Sequence, residues 1–201
     1  MICAVPKLAM FKIVVAAQDP SLRQFLSENL ENQCGCQIMG ECDSGTEMIR
    51  TVLALDPNVV VFDLSLPGCN GLESLHQIYK EHPVAAVALA TERDHDLIRK
   101  SLELFYLTYL IKPVEAYQLT PAIEIAWSRF DTFRQLAAEN AALRQSLQNR
   151  KIIERAKGVL MQRNRWSEAD AFRRLQRGAM NRRTTMVDLA EAVLNGRLVE
   201  L

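Results

Sequence analysis

The sequence predicts an α/β domain built on a five-stranded parallel sheet, followed by a long helix and a small all-α unit. Three observations carry this prediction. Short apolar runs alternate with amphipathic stretches over residues 12–113. From Pro121 to about Asn164 the chain has one glycine and no further proline, which is typical of one continuous helix. Two helix-start patterns then follow in the last 40 residues or so of the chain.

The predicted strands are apolar almost throughout, as expected of a parallel sheet covered on both faces. They alternate with amphipathic segments at 21–32, 45–56, 71–82 and 94–105, so a flavodoxin-like doubly wound fold is favoured. Ligands of such folds bind at the carboxyl ends of the strands, where Asp63 ends the third strand. The five strands are KIVVAA (12–17), QIMGEC (37–42), VVVFD (59–63), AAVALA (85–90) and LTYLI (107–111).

The long helix carries a seam with the 3-4-3-4 spacing of a coiled coil. Asn140 holds an a position in this seam, where a buried amide favours one paired register. We expect a homodimer joined along the seam; the alternative is a solvated helix that packs on its own domain. The seam residues are Phe133, Leu136, Asn140, Leu143 and Leu147.

The last helices begin at Ser167 and Thr185, each of which is followed by an acid three residues later. Residues 150–201 hold twelve Lys/Arg and six Asp/Glu, a net charge of +6 in a chain that is neutral as a whole. This imbalance indicates a second domain with a polyanion as partner. The expected boundaries are a leader at 1–11, an α/β domain at 12–120, a linker helix and coiled coil at 121–150, and an all-α domain at 151–201.

Composition limits the remaining function classes. No apolar run reaches the roughly 18 residues of a membrane span, and the five cysteines are odd in number without paired CxxC spacing. We therefore expect reduced thiols and a cytoplasmic protein. We also expect no enzyme, because no nucleophile, base and orienting group cluster in the sequence, and His76, His82 and His95 resemble surface residues of helices.

The stretch DLSLPGCNGLE, which begins at Asp63, resembles the phosphoacceptor loop of response-regulator receiver domains. The resemblance implies that Asp63 is a phosphoacceptor candidate, with Thr91, Tyr109 and Lys112 as the receiver switch residues. It also implies a sensor kinase or another regulator protein as partner. In receivers, phosphoryl transfer uses Mg²⁺ held by oxygen ligands.

The end of the first predicted strand departs from that family. Ala17 and Gln18 stand where receivers keep two acids, and Asp19 falls one place later. Asp63, Asp19 and Gln18 are therefore weak metal candidates, and Mg²⁺ is expected only if the domain is phosphorylated. Three interpretations of Asp63 stay open: a phosphoacceptor, a remnant in a pseudo-receiver, or a strand-end cap. Lys112 contacts a phosphoryl group in the first and pairs with Asp63 in the second.

The C-terminal block resembles the ANTAR RNA-binding domain of bacterial antiterminators. The motifs that carry the match are AKGVLM from Ala156, SE at Ser167, AF at Ala171, AM at Ala179 and DLA at Asp188, with Leu175 between them. The resemblance implies binding to RNA hairpins in leader transcripts. The RNA-binding candidates are Lys157, Arg163, Trp166, Arg173, Arg174, Arg177, Arg182 and Arg183.

Several residues of this block have a structural interpretation beside the functional one. Trp166 is either a stacking surface for bases or a hydrophobic staple before the Ser167 cap. Gly158 and Ala179 are expected to allow helices to approach closely. The expected core consists of Met161, Phe172, Leu175, Met180 and Leu189.

The function expected from the whole sequence is a dimeric, RNA-binding antitermination regulator with a receiver or pseudo-receiver input domain. Two alternatives remain: a DNA-binding response regulator and a protein-binding adaptor without nucleic-acid activity. The acids at the start of the Ser167 helix speak against DNA, because they would repel phosphates at the end of a recognition helix.

Overall fold

A computed structural model describes residues 11–33, 35–94, 99 and 107–196. The strands are β1 (Lys12–Ala16), β2 (Gln37–Cys42), β3 (Val59–Asp63), β4 (Ala85–Ala90) and β5 (Leu107–Ile111). The helices are α1 (Pro20–Asn32), α2 (Gly45–Leu55), α3 (Gly71–Glu81), α4 (Ala116–Asn164), α5 (Glu168–Arg182) and α6 (Met186–Leu194), with a short 3₁₀ turn at Glu92–Asp94.

The five strands form one parallel sheet in the order β2-β1-β3-β4-β5, which confirms the predicted fold class. All residues of β3 are buried, because this central strand is covered on both faces. β1 ends at Ala16, one residue earlier than predicted. The helix predicted at 94–105 and His95 lie outside the described residues, as does the leader except Phe11, which belongs to the core.

Helix α4 begins at Ala116, so the start predicted at Pro121 was wrong. Two features explain the earlier start. The backbone N–H of Glu115 donates to Gln118 Oε1 (2.9 Å) and so closes the first turn. Leu119, before the proline, and Ile123, after it, are both buried in the sheet domain, and Pro121 itself is exposed. Burial on both sides of the proline outweighs its unfavourable position in the second turn of the helix.

The chain divides into two compact units, one up to Gln135 and the other from Leu136. The core of the second unit is formed by small and medium side chains of α4, α5 and α6. Ser167 caps α5 by accepting a hydrogen bond from the N–H of Asp170, and a complete capping box at Thr185 starts α6. The buried core residues are Ala156, Leu160, Ala171, Leu175, Ala179, Leu189, Ala190 and Val193.

The predicted core of the second unit was partly wrong. Leu175 and Leu189 are buried, and Met161 is partly buried against them. Phe172 is 40% exposed and Met180 is 72% exposed. Residues 171, 175 and 179 supply the inward face of α5, so the residue after each of them is rotated about 100° toward solvent.

Candidate phosphoacceptor site and nucleic-acid interface

Asp63 lies at the carboxyl end of β3 and is only 6% exposed. Lys112 follows β5, and its Nζ donates to both carboxylate oxygens of Asp63, at 3.0 and 2.8 Å. The N–H of Ser65 donates to Oδ1 at 3.0 Å. The backbone N–H of Lys112 donates to the carbonyl of Ala90 at the end of β4, which fixes where the lysine leaves the sheet. Asp63 is thus held in a nearly buried, charge-assisted pair.

The loop after Asp63 packs tightly on the strand that it leaves. A Cβ on Gly71 would lie 2.5 Å from the carbonyl oxygen of Asp63 and 2.6 Å from the ring of Phe62, so only glycine fits there. Asn70 precedes this glycine and caps α3 by accepting from the N–H of Glu73 at 2.9 Å. The Asn-Gly pair of the motif therefore sets the loop's path beside the carboxylate.

The residues at the end of β1 do not fit a Mg²⁺ site. Ala17 is buried, and its carbonyl already accepts a 2.6 Å hydrogen bond from Arg23 Nη1. Asp19 is exposed and caps α1 by accepting from the N–H of Ser21 at 2.9 Å, and Gln18 is an exposed neutral amide. Among the described residues, no three acid, histidine or cysteine side chains are grouped as metal ligands. One carboxylate, already neutralised by a lysine, is a poor donor set for a hard divalent ion.

Thr91 and Tyr109 are the other two predicted switch residues. The Thr91 hydroxyl donates to Asp94 Oδ2 at 2.7 Å, and the Thr91 backbone N–H donates to the same oxygen at 2.6 Å. Thr91 is therefore engaged in capping the 3₁₀ turn that follows β4. Tyr109 lies on β5 with 42% of its surface exposed.

The predicted seam on α4 is mostly exposed in the single chain. Leu136, Leu143 and Leu147 are 60%, 59% and 61% exposed, and Asn140 is exposed as well. Phe133 is half-buried, with its ring centroid 5.9 Å from that of Tyr79 on α3. Three leucines repeated on one helical face are an apolar surface of the kind that a coiled coil buries.

The predicted RNA-binding arginines form an exposed basic surface on the second unit. Arg173 and Arg177 are one turn apart on α5, and Arg183 ends that helix in the left-handed conformation (φ 52°). Arg174 lies over the ring of Trp166, with its guanidinium carbon 4.2 Å from the ring centroid. Trp166 is partly buried against the helical core. All six arginines of the predicted RNA-binding set are exposed: Arg163, Arg173, Arg174, Arg177, Arg182 and Arg183.

Lys157 differs from the rest of the predicted RNA-binding set because it is only 7% exposed. Its Nζ contacts Glu154 Oε2 at 2.9 Å on the same helix and Glu168 Oε1 at 2.7 Å on α5. The hydrogen bonds that Lys157 donates to Glu154 and Glu168 raise its pKa in spite of its burial. The hydrogen bond from Lys157 lowers the pKa of Glu168. Lys157 thus joins the end of α4 to the start of α5.

Sequence reasoning missed part of this surface. Exposed Phe172 lies beside the arginines, with Lys157 Nζ 5.9 Å from its ring centroid. Lys151 and Arg155 on α4 are exposed too. The spacing of Ala171, Leu175 and Ala179 could have placed Phe172 and Met180 outside the core, but their large apolar side chains suggested burial instead.

Comparison with protein families matches two parts of the chain in succession. The response regulator receiver domain matches residues 13–124, and the ANTAR domain matches residues 141–194. Among the described residues, no helix is both long and apolar enough to cross a membrane.

Individual relatives agree with this division. The transcriptional regulatory protein PdtaR of Mycobacterium tuberculosis is 35% identical over 191 residues, which is 95% of this chain and 91% of that protein. The transcriptional regulatory protein LiaR of Bacillus subtilis is 29% identical over 118 residues, 58% of this chain and 56% of LiaR. A solved receiver domain from Clostridium thermocellum covers 61% of this chain and 98% of its own, with a TM-score of 0.55 and 28% identity.

Proposed function

The chain belongs to the response regulators that join a receiver domain to an ANTAR domain, and on this premise we propose that it is a cytoplasmic, RNA-binding regulator of transcription antitermination. The exposed arginines of α5 and its flanks carry this proposal. Guanidinium groups neutralise phosphates and stack on unpaired bases, so a hairpin with a short loop is a ligand of the matching chemistry.

The acids at the start of α5 favour RNA over duplex DNA. Glu168 and Asp170 occupy the first turn, and both are exposed. A recognition helix places its first turn against the bases and phosphates of the major groove, where the Asp170 carboxylate would be repelled; Glu168, which pairs with Lys157, contributes less. The arginines instead lie toward the middle and end of α5.

We also propose that the active form is a dimer, paired along Leu136, Asn140, Leu143 and Leu147. Their exposure in the single chain and their heptad spacing support this pairing. A dimer carries two arginine surfaces, so two hairpins in one transcript would be bound with raised effective concentration.

For the receiver domain we propose a pseudo-receiver, in which Asp63 pairs with Lys112 and does not accept a phosphoryl group. The neutral residues Ala17 and Gln18 support this, because phosphoryl transfer to Asp63 would lack the charge that holds Mg²⁺. The input signal would then be a binding partner, and a sensor kinase with Mg²⁺ is the competing proposal.

The test of RNA binding is retention of leader hairpins and of duplex DNA by the purified full chain across a range of salt concentrations. The variants Arg173→Gln and Arg177→Gln should each weaken hairpin retention and lower the salt slope by about 1. Arg50→Gln, an exposed arginine on α2, is the matched control and should bind as the unaltered chain does. Equal retention of duplex DNA would favour the DNA-binding alternative, and no retention of either would favour the adaptor.

A further inference from the structure

Gly158 stands inside α4, where glycine weakens a helix relative to alanine. Two ordinary reasons for a helical glycine are missing. Its φ is not positive; among the described glycines, a positive φ occurs at Gly35, Gly68 and Gly196. Apart from its own turn of the helix, a Cβ built on Gly158 would meet no atom of the described residues within 4 Å.

The expectation that Gly158 lets two helices of this chain approach each other was therefore wrong. Ala179, which shared that expectation, is 6% exposed and belongs to the helical core. The space over Gly158 is open. A small residue next to open space leaves the helix backbone accessible to something outside the chain.

The helical face around Gly158 is basic and polar. Residues 151, 155, 158 and 162 follow the 4-3-4 spacing that places them on one face of α4. Lys151, Arg155 and Gln162 on this face are all exposed. The one acid between residues 148 and 165 is Glu154, and it is engaged by Lys157.

We propose that the sugar-phosphate backbone of RNA passes directly over Gly158, held by Lys151 and Arg155 on one side and by Gln162 on the other. The inference rests on the proposed RNA-binding function and adds a second contact surface to the arginines of α5. The positive charge of this face complements the phosphates of RNA. A protein partner is less favoured, because Val159 (38% exposed) is the one exposed large apolar residue between positions 148 and 163. The glycine acts by clearance, because a side chain at this position would occupy the space through which the RNA backbone passes, whereas the long side chains of Lys151 and Arg155 still reach the phosphates.

The test uses the full chain and a hairpin recovered by cross-linking the protein to RNA in its own cells. Gly158→Ala should raise the thermal midpoint by strengthening the helix, and should weaken hairpin binding about tenfold. Gly158→Leu should weaken it further. Because Gly158→Ala weakens binding sterically, it should leave the dependence of hairpin affinity on salt nearly unchanged. Lys151→Gln and Arg155→Gln remove phosphate contacts, so each should lower the slope of that dependence by about 1.

The control for added bulk is Ala142→Leu, at another exposed position of α4, which should bind the hairpin as the unaltered chain does. Hairpin binding at the unaltered level by both Gly158 variants would overturn the inference and leave the proposed function standing. If the Gly158 variants sediment as monomers while the unaltered chain sediments as a dimer, the open space receives a second copy of the chain, and this result also overturns the inference. Failure of the unaltered chain to bind any hairpin would remove the proposed function itself.

Discussion

Replacing Lys112 by methionine removes the positive charge beside Asp63 and keeps most of the aliphatic stem. Asp63, whose side chain is 9% exposed, would keep the hydrogen bond from the N–H of Ser65. Removing one partner of a buried ion pair costs about 3–5 kcal/mol. The Lys112 side chain is 23% exposed, so water reaches the pair and we expect a loss of about 2–3 kcal/mol. At about 3–4 °C per kcal/mol, the midpoint of thermal unfolding should fall by roughly 6–12 °C.

The measurement is urea and thermal unfolding at pH 7, followed by circular dichroism. A double-mutant cycle with Asp63→Asn and the combined variant isolates the pair, and the combined loss should be smaller than the sum of the single losses. Lys80→Met, an exposed lysine of α3, is the control and should change stability by less than about 0.5 kcal/mol. An unchanged midpoint for Lys112→Met would refute the reasoning, because Asp63 would then be solvated without the lysine.

Three further outcomes are expected. Ala17→Asp combined with Gln18→Asp should create Mg²⁺ binding, measured by calorimetry, that the unaltered chain lacks; equal binding by both would contradict the pseudo-receiver. Leu143→Asp should shift sedimentation from dimer to monomer, and an unchanged dimer would place the interface elsewhere. The pKa of Lys157 is raised and the pKa of Glu168 is lowered, so their pairing should stabilise the folded chain at pH values where both groups are charged. This contribution is lost as pH rises from the ordinary lysine value of 10.5 through the raised pKa, or as it falls below the ordinary glutamate value of 4.5. The test is to measure the free energy of unfolding of Lys157→Met and of the unaltered chain between pH 3 and 11. A difference that stays constant with pH would show that packing alone had been lost and would contradict the prediction.

Strand positions could be predicted because a parallel sheet buries both faces, and an apolar run such as Val59–Phe62 has no other stable place. The start of α4 at Ala116 could not be predicted from the sequence, because local propensity favours a break at Pro121. What decides there is the burial of Leu119 in the sheet domain, and that contact is not encoded in neighbouring residues.

The site shows the same division between local and long-range information. The sequence indicated Asp63 and Lys112 as partners, but they are 49 positions apart, and their hydrogen bonds at 3.0 and 2.8 Å depend on the β3-β4-β5 order of the sheet. Lys157 was predicted to contact RNA because it is a basic residue of the block that resembles the ANTAR domain. Its burial between Glu154 and Glu168 required the packing of α5 against α4.

By itself, the sequence determined the fold class, the order of receiver, long helix and ANTAR domain, the missing acid pair and the excess of arginine in the second unit. The fold class and the arginine excess follow from residue type and short-range periodicity. The receiver domain, the ANTAR domain and the missing acid pair were inferred from the resemblance of short motifs to known families. Only the tertiary structure decided that Phe172 and Met180 face solvent, that Lys157 is buried and that open space lies over Gly158. These depend on which side of a helix meets another helix, and residues far apart in the chain set that contact.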